Sequence, residues 1–132
     1  MNIMRLCAAG LLSCAAFASA ALAQDAARGK ALFAAECAAC HSAQPGQNGV
    51  GPSLAGVYGR PAGTVPGYHF SPALRQTHII LTATELDLFL RSPSSFAAGT
   101  KMPTPGSLMH MGVPNAADRG DLIAYLRDLR SD

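Results

Sequence analysis

Charge is scarce in this chain. Only 14% of its 132 residues are charged, and the formal net charge is +2. Arg5 lies in a segment expected to be removed, which brings the remainder close to neutrality. That balance excludes a polybasic surface for nucleic acid or anionic lipid, and it predicts weak long-range steering of a charged partner. Cysteine is sparse too, and none follows Cys40. A zinc site needs four ligands, and His69, His78 and His110 show no paired spacing that would complete one. No internal repeat and no strand-rich pattern stand out. Past the first two dozen residues no apolar run is long enough to span a bilayer. The length suits one domain, not two.

What is present begins with a leader. Residues 1–23 read as a signal peptide: Arg5 is the charged start, Leu6 to Leu22 is apolar, and Ala21-Leu22-Ala23 is a cleavage site of the A-x-A type. Leu11-Leu12-Ser13-Cys14 resembles a lipoprotein box that would leave Cys14 lipidated, but the apolar run continues past it to the better cleavage site. Retention as a membrane anchor is less favoured still. Residues 24–132 then form the single domain, placed by the leader in the periplasm.

Cys37-Ala38-Ala39-Cys40-His41 is the stretch around which that domain is organised. C-x-x-C-H is the attachment pattern of c-type haem. Two thiols at this spacing near a helix end can meet the two vinyl groups of one porphyrin, and the next histidine is aimed at the iron. Half a zinc site and a thioredoxin-like pair are the competing readings. The first lacks further ligands and the second lacks a βαβ context. In an oxidising compartment a lone pair of cysteines would otherwise close a disulfide, and His41 argues for haem instead.

The rest of the pattern is all-α. Residues 25–37 read as a helix capped by Asp25, with Arg28 and Lys30 as exposed candidates. Its Gly29 is poor for helix propensity and so suggests a close helix crossing. Residues 42–70 alternate glycine and proline as a long loop, which a large apolar cofactor would explain by supplying the missing core. Ser71-Pro72 opens a short helix. Thr82-Ala83-Thr84-Glu85 is a capping box before Leu86, Phe89 and Leu90, closed ahead of Pro93. After a loop over 92–114, a helix runs from Asn115 to about Arg130 with Leu122, Ile123, Tyr125, Leu126 and Leu129 on one face.

Haem iron needs a second ligand or an open position, and that choice sets function. Met102, Met109, Met111, His69, His78 and His110 are the candidates. Met102 precedes Pro103, which disfavours helix there and leaves its side chain on an extended segment able to lean over a flat ring. Methionine is also a common gap filler, so spacing alone leaves the choice open.

Gly29-Lys30-Ala31-Leu32-Phe33, Cys37 to His41, Gly51-Pro52-Ser53-Leu54, Gly59-Arg60-Pro61-Ala62-Gly63, Gly99-Thr100-Lys101-Met102 and Asp121-Leu122-Ile123-Ala124-Tyr125-Leu126 form one further set. With these the chain resembles the class I c-type cytochromes, the family of mitochondrial cytochrome c and its small bacterial relatives, from about Asp25 to Leu129. The resemblance implies a cytochrome c fold: three main helices plus short helices and long loops around one covalent haem c. It implies that Cys37 and Cys40 attach the haem and that His41 and Met102 ligate iron. Pro52 would accept a hydrogen bond from His41, Arg60 would face a propionate, and Gly29 and Phe33 would pack on Leu122 and Tyr125. The chain departs from the family at Leu81, Phe70 and Phe89, where a tryptophan and tyrosines are usual, and at Thr104, where an aromatic usually covers the haem face. Residues 107–114 look like an insertion, and of the docking lysines of mitochondrial relatives only Lys30 and Lys101 remain.

The resulting expectation is a monomeric periplasmic single-electron carrier, not an enzyme. It would meet redox partner proteins transiently at the haem edge near Cys40, with neither nucleic acid nor a membrane span. The alternatives are a cytochrome subunit of a periplasmic dehydrogenase, using the Leu108–Val113 patch as interface, and a haem sensor with a labile sixth ligand.

Overall fold

The computed structural model describes residues 24–102 and 112–129. The leader with Cys7 and Cys14, Thr104, and the stretch from Leu108 to Met111 lie outside the described residues. Helix α1 (Ala26–Leu32) starts where the Asp25 carboxylate accepts from the amides of Ala27 and Arg28, at 2.9 and 3.1 Å. It continues into a π-helical turn, Phe33–Cys37, in which the Ala38 amide reaches the Phe33 carbonyl at 2.9 Å. The single helix expected over 25–37 therefore has two geometries. Turns of this kind are frequent at functional sites, and this one ends on Cys37.

Helix α2 (Pro72–Arg75) is capped by the Ser71 hydroxyl, with Pro72 in its first turn. Helices α3 (Ala83–Arg91) and α4 (Pro93–Phe96) follow, divided by Ser92. Thr82 stands at the N-cap of α3 but makes no capping bond to the backbone; its hydroxyl donates to the Glu85 carboxylate instead. Neither bond of the expected capping box forms, since the Thr82 side chain caps no amide and the Thr82 amide donates to the Ile80 carbonyl at 2.8 Å. Helix α5 (Ala116–Asp128) is capped by Asn115, whose side chain accepts from Ala117 and Asp118, and it ends slightly before Arg130. Among the described residues the sole β pairing is an isolated antiparallel bridge between Pro61 and Ile80.

The core lies where α1 crosses α5. Gly29 is buried there, and a Cβ at that position would stand 1.9 Å from the Asp121 carbonyl oxygen. Only glycine permits that approach. Phe33 packs on Tyr125 with ring centroids 5.4 Å apart. Leu122, Ile123 and Leu126 complete the buried face of α5 together with Leu86 and Leu90 of α3. Full burial of each such side chain is worth about 1.5–3 kcal/mol.

Polar contacts of long sequence range lock this crossing. Arg28 bridges Asp118 and Asp121, and the Asp25 amide donates to Asp121 at 2.7 Å. Arg119 is buried; its Nε meets Asp87 at 2.6 Å, and its Nη1 donates to the carbonyls of Val113 and Pro114. Val113 and Pro114 are thereby fastened to both α3 and α5. The Val113 amide adds a bond of 2.7 Å to the Leu90 carbonyl, just where Gly112 has φ +102.

Candidate functional site

The long glycine- and proline-rich loop holds its shape without helix or sheet. Asn48 is its knot: its side chain accepts from the Ser53 amide and donates to the Pro66 carbonyl, both at 2.9 Å. The buried Ser53 hydroxyl donates to the Gln44 carbonyl at 2.6 Å. The Tyr68 hydroxyl reaches the Val50 carbonyl at 2.7 Å. Gly59, Arg60, Ala62, Ile79 and Leu81 exchange backbone bonds that close the far end. Each buried polar group in this network finds a partner, as burial demands.

This framework surrounds a cavity of about 370 Å³. Cys37, Cys40 and His41 line it, as do Pro52, Arg60 and Met102. These six residues thus come to one place. Leu86, Leu90, Leu122 and Leu126 give it an apolar floor shared with the core. Leu81, Phe70 and Phe89, the positions that depart from the family pattern, also line it and present only hydrocarbon. His69 and His78 do not line it; both are exposed. Met109, His110 and Met111 lie outside the described residues.

His41 is held with particular care. Its Nδ1 lies 2.8 Å from the Pro52 carbonyl oxygen. A carbonyl can only accept, so Nδ1 carries the proton and Nε2 keeps its lone pair. Burial lowers the pKa of the ring, against the opposing influence of the Pro52 carbonyl. The imidazole is therefore neutral and of one tautomer, the state a metal ligand requires. Gly51 supports it from below: a Cβ there would fall 2.3 Å from His41 Cε1. Nothing in residue spacing marks Gly51 for that role. The Asn48 knot and the Tyr68 bond are equally invisible until the loop is folded.

Of the two cysteines, Cys37 is buried and Cys40 half-buried. Burial pushes the Cys37 thiol up to about 11, with Glu36 and Cys40 adding to the effect. The His41 amide donates to the Cys37 carbonyl at 2.9 Å, so thiols and imidazole share one helical turn. Arg60 Nε donates to the Gly56 carbonyl at 3.2 Å, which holds the guanidinium at the cavity. Met102 follows Gly99, at φ +87, and Lys101, whose ammonium donates to the His69 carbonyl at 3.2 Å. Among the described residues no group of three or more His, Cys, Asp or Glu side chains is gathered to hold a bare metal ion. The donor set instead suits a flat apolar ring that brings its own metal: two thiols, one aimed imidazole, one thioether and a cation on apolar walls.

An all-α chain wrapped around such a cavity is a class I c-type cytochrome, and comparison with known proteins agrees. The family model Cytochrome c matches residues 26–130. Cytochrome c of Euglena viridis is 43% identical over 106 residues, covering 80% of this chain and 98% of the relative. Cytochrome c2 of Blastochloris viridis is 38% identical over 130 residues, covering 98% and 97% of the two chains. The solved structure of cytochrome cH from Methylobacterium extorquens is similar at 39% identity and TM-score 0.69, over 79% of this chain and 98% of that one. The chain belongs to the cytochrome c family. It is an electron carrier with one covalently attached haem c, not an enzyme. Among the described residues no helix is long and apolar enough to cross a membrane.

Proposed function

We propose that the protein is a periplasmic carrier of single electrons whose haem has His41 and Met102 as axial ligands. The supporting observation is the His41 ring, fixed by the Pro52 carbonyl over Gly51, in the same cavity as Met102. Cys37 and Cys40 would hold the haem covalently, each through a thioether to one vinyl group. Pro52 holds the imidazole to one orientation and raises its basicity as a ligand. Arg60 balances propionate charge. The haem supplies the one-electron couple, and the Met/His pair raises its potential. The leader, residues 1–23, directs export and is removed; the mature chain works as a monomer and meets its redox partners transiently at the edge near Cys40.

With His41 and Met102 both holding the iron, no position would be left for a small ligand. Ferrous holoprotein is therefore expected not to bind carbon monoxide at neutral pH, and gel filtration of native extract should return a small monomer. Rapid carbon monoxide binding would instead support a sensor with a labile sixth ligand. Elution with a larger partner would support a dehydrogenase subunit.

A further inference from the structure

The distribution of charge over the fold is uneven. From Cys37 to Gly59 no residue is charged, and between Cys37 and Thr84 only Arg60 and Arg75 are. Among the described residues the remaining charged groups sit on α1, its π turn, α3 and α5, save Asp25 at a cap and Lys101. The uncharged stretch is also the one that borders Cys40. Its outermost apolar side chain is Val50, 75% exposed although it lines the cavity. That exposure is held in place: Tyr68 binds the Val50 carbonyl, the Gly49 amide donates to Gly51 at 2.9 Å, and the Gly51 amide donates to Cys40 at 2.8 Å. Gln44 and Gln47 flank it, exposed and neutral.

We infer that the loop from Gln44 to Val50 is a docking surface for a redox protein whose own electron-exit face is uncharged and apolar. The inference rests on the carrier reading above. A partner seated on Val50 is brought against the cavity rim that includes Cys40. Burying neutral groups there costs far less than stripping water from a lysine or carboxylate. The loop itself carries no charge, so encounter there gains little from Coulomb steering; the charged side chains that line the cavity are Arg60 and Lys101. A small apolar contact with a neutral border gives the brief complex that a carrier needs.

A second copy of this chain presents such a face, so electron self-exchange between ferrous and ferric holoprotein is the probe. One electron passes, one copy is oxidised and the other reduced, and no bond or proton is transferred. NMR line broadening reads the rate. The expected rate changes less than about twofold between roughly 10 mM and 0.5 M salt. Val50→Lys sets two ammonium groups face to face; it should slow exchange at least about tenfold at low salt, with recovery as salt is added. Gln47→Lys should do the same more weakly, and Leu88→Lys on α3 should not. Amide shifts on raising protein concentration should cluster over Gln44 to Gly51. A steep salt dependence in the parent, or Val50→Lys and Gln47→Lys variants that both match it, overturns the docking surface. If ferricyanide fails to oxidise the ferrous parent, the carrier reading falls and the docking surface with it. Normal oxidation with unaffected variants sinks the surface alone.

Discussion

The α1–α5 crossing and the loop around the cavity solve opposite problems. At the crossing, apolar side chains meet through Gly29, and ion pairs from Arg28 clamp the outside. Polypeptide packs on polypeptide, and the contact is complete in itself. In the loop, backbone groups and small polar side chains hold a rim whose inner face is left for something else. The difference teaches how a chain this short builds a rigid site: half of it is an ordinary helical core, and the other half is shaped for a cofactor that serves as core.

That contrast is sharpest at two glycines. Gly29→Ala should cost at least about 2 kcal/mol, since the Cβ overlaps backbone that cannot retreat without parting the helices. The loss should show as a lower Tm of the holoprotein with its visible spectrum unchanged. A Gly29→Ala protein as stable as the parent would break the account of the crossing. Gly51→Ala drives a methyl into the His41 ring. It should cost about 1–3 kcal/mol and, unlike Gly29→Ala, should alter the absorption bands and the reduction potential. An unaltered spectrum would mean that the ring is not set by that contact.

Asp121 gives the crossing a pH dependence. The Asp25 amide, and after it Arg28, hold the Asp121 carboxyl below its ordinary 3.8. The ionised form is the one bound. Its stabilisation is therefore full above that ordinary value and is lost as the pH falls through the lower folded-state value. Asp121→Asn should lower Tm at neutral pH, and the gap to the parent should close in strong acid. A gap of constant size would assign the loss to packing instead. The smallest effect expected is for Tyr68→Phe, which removes one bond to the Val50 carbonyl and should cost about 1 kcal/mol. Thermal melts would detect it, with the bands of the bound haem unchanged.

Local signals in the sequence were readable where local physics decides. Asp25, Ser71 and Asn115 cap their helices as their side chains suggest, and Gly29 marks a crossing because nothing else excuses glycine there. Thr82 carried the same kind of signal, yet Glu85 took its hydroxyl. The π turn at Phe33–Cys37 leaves no periodic trace in so short an element. What escaped was nonlocal. Arg119 with Asp87, Asp121 with Arg28, and Asn48 with Pro66 pair across the chain, and no spacing rule announces them. Pro52 was legible through resemblance, whereas Gly51 beside it acquires its purpose only once the His41 ring lies over it.

The most direct test of the account is the ferric absorption spectrum of the holoprotein beside that of Met102→Ala. The parent should show the weak far-red band of methionine sulfur bound to iron, and the variant should lose it while keeping covalent haem. A parent without the band, or a variant that retains it, would contradict the assignment of Met102 and with it the closed, two-ligand carrier.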